Sequence, residues 1–211
     1  NTSKGPTFIH SNTGQIHLFN PANGEDIIVS SDSIESTSPI LEANKNKRFL
    51  YTIKRNRLQV RHPTTLELVK SHEFKNTLKT LTPTPQGIII EDWNNQISFY
   101  DLEKEYVTWK RNFNSSPLGT FYRTKQNTII TILNNGTMHV TDYKGKKSLK
   151  FRMKLGGIQF AKIQEDHLYL SDENHRIFQV SLDRMTVNWD KQMDSQVFSL
   201  QLHKGRVLVG L

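Results

Sequence analysis

Residues 87–101 read GIIIEDWNNQISFYD, and this stretch decides the fold. It opens with Ile88 to Ile90, a short continuous apolar run that is typical of a strand buried on both faces. Asn94 and Asn95 follow, and asparagine tolerates the positive φ that tight hairpin turns require. Apolar residues then recur at every second position from Ile97, as in a half-buried strand. The stretch therefore predicts a β-hairpin.

The same hairpin recurs along the chain with a period near forty residues. The first apolar residues after successive turns are separated by 42, 39, 41 and 39 positions, at Ile16, Leu58, Ile97, Met138 and Ile177. A period of this length, made only of short apolar runs, is typical of the blades of a β-propeller. No segment shows a sustained apolar period of 3.6 residues, so we expect an all-β protein without long helices.

Each repeat fits four strands, which we name A to D in chain order. In the third repeat they are predicted at residues 78–82, 88–90, 97–100 and 106–109. In the other repeats strand B is predicted at 8–9, 49–51, 129–130, 168–170 and 207–209, and strand D at 26–29, 66–69, 148–151 and 186–189. Strand A of the last repeat is predicted at 197–202.

These repeats predict one β-propeller domain over residues 1–211, with about five four-stranded antiparallel blades and a truncated sixth. Closure of a propeller normally joins strands from both chain ends into one blade. Strand B occurs in the first repeat and again in the last, so a closed ring of five blades would leave one copy over. We therefore expect the chain to be a portion of a longer propeller of about six to eight blades. An open arc packed against a partner is the alternative.

The corners between strands C and D resemble those of the WD-repeat and quinoprotein-like (pyrroloquinoline-quinone-type) propeller superfamilies. Residues 19–24, FNPANG, are similar to the quinoprotein-type turn Asp-x-x-Thr-Gly. Residues 101–109 keep that family's spacing from an acidic residue to a strand-D Trp, and residues 182–186 with Trp189 form a shorter version. Tyr100-Asp101 is similar to the Trp-Asp pair that ends strand C of WD repeats, whereas the Gly-His pair of that family is missing.

Quinoprotein dehydrogenases stack their cofactor on a Trp and often use vicinal cysteines and a calcium site, and this chain departs from that pattern. It has no Cys, and its acidic residues do not gather at one place in the repeat. We expect Trp109 and Trp189 to pack between neighbouring blades, and no cofactor. The eight His are scattered over separate repeats and no nucleophile or phosphate-loop motif occurs, so neither a metal site nor catalysis is predicted.

The formal net charge is +8, from 28 Lys and Arg against 20 Asp and Glu, and this balance favours anionic partners. One basic cluster lies within residues 45–62, which contain no Asp or Glu. The other comprises Lys144, Lys146, Lys147, Lys150, Arg152 and Lys154. A solvated surface without a specific partner is the alternative interpretation.

The template places Lys45, Lys47 and Arg48 in an A–B turn and Lys144, Lys146 and Lys147 in a C–D turn. These two kinds of turn lie at the same end of an antiparallel blade. Glu91-Asp92 and Asp172-Glu173 are predicted at the B–C turns of the opposite, more acidic face, with Glu165-Asp166 in an A–B turn as an exception. The candidate anion-binding or partner-binding residues are Lys45, Lys47, Arg48, Arg123, Lys125, Lys144, Lys146 and Lys147.

The leading hypothesis for function is a non-catalytic propeller scaffold that mediates protein–protein interactions in an intracellular multiprotein assembly, nuclear or cytoplasmic. A second is contact with RNA or DNA through the basic face, as in a ribosome-assembly or chromatin complex. A third is an extracytoplasmic quinoprotein-like enzyme or assembly factor. No apolar run approaches about twenty residues, so membrane insertion is not expected.

Overall fold

A computed structural model describes residues 7–10, 15–19, 23, 25–29, 36–37, 41–43, 47–153, 155, 157–203 and 206–211. Over these residues the secondary structure consists of strands and turns without helix. Accordingly, this part of the chain contains no helix long and apolar enough to cross a membrane. The chain divides between Asn112 and Phe113 into two compact units. This architecture confirms the predicted all-β class.

The first unit holds three antiparallel sheets in chain order. The first sheet has the strands β1 (Thr7–His10), β2 (Ile16–Phe19) and β3 (Asp26–Val29). In the second, β6 (Lys47–Lys54) pairs with β7 (Arg57–Arg61), which pairs with β8 (Leu68–Glu73). The other side of β6 pairs with two short strands that share the position of strand A, β4 (Ser36–Thr37) and β5 (Leu41–Ala43). The third sheet is β9 (Leu78–Pro83), β10 (Gly87–Asp92), β11 (Gln96–Asp101) and β12 (Tyr106–Asn112).

The second unit repeats the same up-and-down order of four strands. Its first sheet is β13 (Pro117–Arg123), β14 (Thr128–Leu133), β15 (Thr137–Asp142) and β16 (Ser148–Arg152). The next is β17 (Ile158–Gln164), β18 (His167–Asp172), β19 (Arg176–Ser181) and β20 (Thr186–Gln192). A final pair consists of β21 (Ser199–His203) and β22 (Arg206–Gly210). These sheets match the predicted blades, and the last one has two strands.

Strand D of the second blade is the main difference from the predicted strands. It begins at Leu68, whereas the sequence predicted residues 66–69. Leu66 instead has a positive φ of 59°, and its N–H donates to the carbonyl of His62 at 3.0 Å. Its side chain is buried against Ile16 and Leu50. This apolar residue therefore contributes to the core from a turn. An apolar pattern in the sequence does not distinguish such a turn residue from a buried strand residue.

The core is built mainly from strands B and C of successive blades. All six residues of β10 are buried, and Ile88 and Ile90 pack in one cluster with Tyr51, Leu58 and Tyr100. In the second unit the equivalent cluster joins two blades and contains Ile130, Ile132, Leu168, Leu170 and Phe178. Burial on both faces explains why strand B is a continuous apolar run. Strand D, at the end of each four-stranded sheet, remains largely exposed.

Trp109 and Trp189 contact aromatic rings within their own blades, and their packing between neighbouring blades stays a prediction. The Trp109 ring stacks on that of Phe99, the residue opposite it on the neighbouring strand, with centroids 5.9 Å apart. Trp189 lies 6.4 Å from the Tyr169 ring and keeps 39% of its surface exposed. Each Trp ring therefore packs on an aromatic ring of its own sheet.

Gly87 provides a test of how closely strands B and C approach in the third blade. A Cβ atom at this position would lie 2.3 Å from the backbone oxygen of Tyr100 and 2.5 Å from the Phe99 ring. We expect Gly87→Ala to lower the free energy of unfolding by about 1–3 kcal/mol, because the backbone oxygen cannot move aside. Gly157→Ala is the matched control, since the nearest atoms there belong to the exposed Glu173 carboxylate. Equal shifts of the urea midpoint from that of the parent chain would contradict this prediction.

Candidate partner-binding surface

The C–D turn of the fourth blade, between β15 and β16, presents Lys144, Lys146 and Lys147 to solvent. The carboxylate of Asp142 shapes this turn by accepting the N–H groups of Lys146 at 2.8 Å and Lys147 at 3.1 Å. Gly145 supplies the positive φ of 73° that closes the turn. The predicted position of these three lysines in a C–D turn is therefore confirmed.

Lys150 and Arg152 extend the same positive charge along β16. Their side chains are exposed, and no acidic residue occurs between Asp142 and Arg152. We call the five cations of this segment the basic edge: Lys144, Lys146, Lys147, Lys150 and Arg152. None of them forms an ion pair with a carboxylate of the described residues, whereas seven basic residues elsewhere in these ranges, among them Lys70, Lys79 and Arg176, do. The basic edge is thus a concentrated positive charge without an internal counter-charge in the described part of the chain.

Arg123 has a different position from the one predicted, because it is the last residue of β13 and its side chain is buried. Its Nη2 donates to Asp166 at 2.6 Å and to Asp183 at 2.7 Å, and its Nη1 donates to the carbonyl of Leu182 at 3.4 Å. The guanidinium group therefore joins the fourth blade to two turns of the fifth. A group held by these contacts is a structural link, so its predicted position in an exposed A–B turn is wrong.

Lys125 does lie in the A–B turn of the fourth blade, at the same end of the blade as the C–D turn that carries Lys144. Its Nζ is 3.2 Å from Asp166, and its side chain is mostly exposed. Hydrogen bonds from Arg123 and then from Lys125 hold the pKa of the Asp166 carboxyl below its ordinary value. Asp166, the apparent exception to the basic face, is therefore the counter-charge of two of the predicted cations.

The first predicted cluster is only partly covered by the structure. Lys45 lies outside the described residues, and Lys47 and Arg48 belong to β6, where their backbones pair with Ala43 and Glu42 of β5. Their predicted position in an A–B turn is wrong, because the β5–β6 hairpin continues through them. The first cluster lies in one compact unit and the basic edge in the other, so a common face for the two stays a prediction.

The predicted acidic face at the B–C turns is not a solvated surface. Glu91, Asp92 and Asp172 are buried, and only Glu173 is exposed. Asp92 accepts the N–H groups of Asn94 at 2.9 Å and Gln96 at 2.8 Å, and Asp172 accepts those of Asn174 and Arg176 in the same way. Burial raises the pKa of Glu91, although Lys79 binds it at 2.6 Å. Asp92 and Asp172 thus stabilise the hairpin turns of their own blades, whereas Glu91 is bound to strand β9 through Lys79.

Within the described ranges no group of three His, Asp or Glu side chains is placed to hold a metal ion. The buried charged groups of Arg123 and Glu91 form ion pairs within their own units. The basic edge is the candidate surface for anionic partners.

Comparison with known proteins defines the class to which this architecture corresponds. Neither the known protein families nor the curated proteins contain a match to the sequence. Among solved structures, the WD40 β-propeller domain of Doa1 is 12% identical with a TM-score of 0.71, over 98% of this chain and 72% of that one. BamB from Moraxella catarrhalis is 9% identical with a TM-score of 0.66, over 97% of this chain and 66% of its own length.

The chain therefore has the fold of a WD-repeat or quinoprotein-like β-propeller, as the C–D corners predicted. It spans slightly less than two thirds of the BamB structure and somewhat more of the Doa1 domain. Identities of this size concern the fold alone. The function has to be argued from the surface of this chain itself.

Proposed function

We propose that this chain is a non-catalytic scaffold that binds other proteins within an intracellular multiprotein assembly, in the nucleus or the cytoplasm. The observation that carries the proposal is the distribution of exposed apolar side chains. Eight of the twelve large exposed apolar residues in the described ranges lie on the outer strands β3, β8, β12, β16 and β20: Ile27, Val29, Leu68, Val69, Tyr106, Leu149, Val187 and Trp189.

Apolar side chains concentrated on one class of strand favour contact with other proteins, because their burial in an interface is favourable. Trp189 and Tyr106 are the residue types that most often anchor protein interfaces. The rigid sheets behind them hold these side chains in fixed positions, which reduces the entropy lost on binding.

Cross-linking of the natively purified assembly tests this proposal. An amine-reactive reagent is expected to join partner proteins to Lys70, Lys110 and Lys191 on the outer strands. Lys162 is the matched control, because it is exposed on β17, an A strand. Partner cross-links at the outer-strand lysines should clearly exceed those at Lys162. A chain that sediments without partners, or an even distribution of cross-links, would overturn the proposal.

A second candidate function, contact with RNA or DNA phosphates, is favoured by the unpaired charge of the basic edge. Lys45, Lys47, Arg48 and Lys125 remain candidates for the same role. Neutralised phosphates release counterions, so such binding weakens steeply as salt rises. This dependence makes the candidate measurable with the chain alone.

We expect the triple variant Lys144→Glu, Lys146→Glu, Lys147→Glu to weaken binding to single-stranded RNA or duplex DNA if phosphates are the ligand. Fluorescence anisotropy at several salt concentrations should show a slope reduced by about one for each lost phosphate contact. The fold should be retained, because exposed charges usually change stability by less than about 0.5 kcal/mol. The triple variant Lys162→Glu, Arg184→Glu, Lys191→Glu is the control, because it changes the net charge by the same amount at exposed positions outside the basic edge. Unchanged affinity in the triple variant would exclude this candidate for the basic edge.

A further inference from the structure

We propose that the outer strand β16 binds an extended acidic peptide segment of a partner protein as a fifth strand of its blade. This inference deepens the proposed scaffold function, on which it rests, by stating the chemistry of one partner. Three independent observations carry it: the regularity of the strand edge, the direction of its backbone groups, and its charge.

The edge of β16 is regular, in contrast to the other outer strands of the described residues. The strands β3, β8, β12 and β20 each show a register shift against the strand they pair with. Such irregularities twist an edge and protect it from pairing with another strand. The pairing of β15 with β16 runs without a shift from Thr137 opposite Arg152 to Thr141 opposite Ser148. Strand β16 therefore lacks the protection that the other outer strands have.

The hydrogen bonds at the two ends of this pairing fix which backbone groups point outward. The N–H of Asp142 donates to the carbonyl of Lys147 at 3.1 Å, and the N–H of Met153 donates to the carbonyl of Gly136 at 2.9 Å. In an antiparallel ladder, hydrogen-bonded and non-hydrogen-bonded pairs alternate. Residues 147, 149, 151 and 153 thus direct their N–H and C=O groups toward β15.

The intervening residues Ser148, Lys150 and Arg152 direct their N–H and C=O groups away from the sheet. None of the hydrogen bonds found among the described residues uses these outward groups. They form a row of three donors and three acceptors at an exposed edge, which is the pattern that an added strand requires.

The charge of this edge selects the occupant. Two of the three outward residues, Lys150 and Arg152, are cations on one face of the strand, and three further lysines of the basic edge precede them. Oppositely charged residues directly across two strands stabilise the pair, whereas like charges destabilise it. A second copy of this strand in antiparallel alignment would bring cations together, so a strand with Asp or Glu at alternate positions fits better.

Leu149 adds a preference on the other face. Its side chain is 61% exposed and points opposite to Lys150, as alternate strand residues do. The expected ligand therefore alternates acidic residues, which face Lys150 and Arg152, with apolar residues, which face Leu149. Nucleic acid would contact the cations, but it has no peptide backbone that could pair with the row of N–H and C=O groups.

A labelled peptide of about eight residues with alternating Glu and Val is the probe, because it spans the five residues of β16 with an overhang. Fluorescence anisotropy with the full chain should show saturable binding. The same peptide with N-methylated backbone should bind far more weakly, and a Lys/Val peptide should not bind. Hydrogen exchange should slow at Ser148, Lys150 and Arg152 in the complex. It should be unchanged at residues 110–112 of β12.

Variants at Lys150 separate the charge from the backbone. Lys150→Ala should weaken binding about twofold to fivefold, the value of one cross-strand charge pair. Lys150→Pro should weaken it by about a further twofold to tenfold, because it also removes an outward N–H without removing a bond to β15. The N-methylated peptide makes the same comparison on the unaltered chain, in case the proline variant does not fold.

Equal affinity of the N-methylated peptide would overturn the proposal, since binding would then depend on charge alone. Displacement of the peptide by RNA or DNA that binds more tightly would overturn it in favour of the phosphate ligand. Absence of saturable binding would also overturn it. These failures differ from failure of the scaffold proposal, which is decided by the cross-links at the other outer strands.

Discussion

Ile90→Ala is expected to lower the free energy of unfolding of the first unit by about 3–4 kcal/mol. Ile90 lies in the middle of β10 with 1% of its surface exposed, in a cluster with Tyr51, Leu58 and Tyr100. Loss of three buried carbons removes their transfer free energy and leaves a cavity, because strands on both sides hold the walls in place. Urea unfolding followed by far-UV circular dichroism measures the change.

Leu68→Ala is the matched control within the same unit. The two substitutions remove the same number of carbon atoms, but Leu68 is 52% exposed on β8. We expect the control to change the free energy of unfolding by less than about 0.5 kcal/mol. If the two variants were equally destabilised, the placement of strand B in the core and of strand D at the surface would be wrong.

The second large effect is expected from Arg123→Met, which should lower the free energy of unfolding of the second unit by about 2–3 kcal/mol. The Arg123 side chain is 6% exposed and holds two carboxylates and one carbonyl oxygen. Removal of one member of a buried ion pair typically costs about 3–5 kcal/mol. The expected value is smaller because Asp183 is 57% exposed, so water can solvate the carboxylate that remains.

The pH dependence identifies this contribution. Arg123 lowers the pKa of Asp166 in the folded chain, so the stabilisation is present above the unfolded pKa of Asp166. It is lost as the pH falls through the lower, folded pKa. The difference in stability between the parent chain and Arg123→Met should therefore shrink in acid. Arg184→Met, at an exposed position, should have little effect at any pH. A difference for Arg123 that does not change with pH would contradict the ion-pair explanation.

Much of the fold could be predicted because its signals are local. The continuous apolar runs of strand B and the Asn-containing turns each occupy a few residues, and they recur with one period. The hairpin from Gly87 to Asp101 was predicted within one or two residues at each strand end. The turn position of Leu66 could not be predicted, because a buried turn residue and a buried strand residue are both apolar.

The candidate surface was predicted less well, because the role of a charged residue depends on its partners. Arg123 looks like an exposed cation in the sequence, yet its partners Asp166 and Asp183 are 43 and 60 residues further along. Asp92 and Asp172 look like a solvated acidic face, but backbone N–H groups of the following turns occupy their oxygens. Conversely, Lys144, Lys146 and Lys147 were placed correctly, since a C–D turn is defined by its two adjacent strands.

The sequence by itself determined the strands, the turns, the blade period and the excess of positive charge. These properties follow from side-chain polarity and backbone preferences over a few neighbouring residues. Only the tertiary structure decided which cations are neutralised within the second unit and which outer strand keeps a regular edge. Ion pairing depends on distances between residues far apart in the chain, and the free edge of β16 depends on the hydrogen-bond register between two strands. Neither quantity is fixed until the strands have paired and the blades have packed.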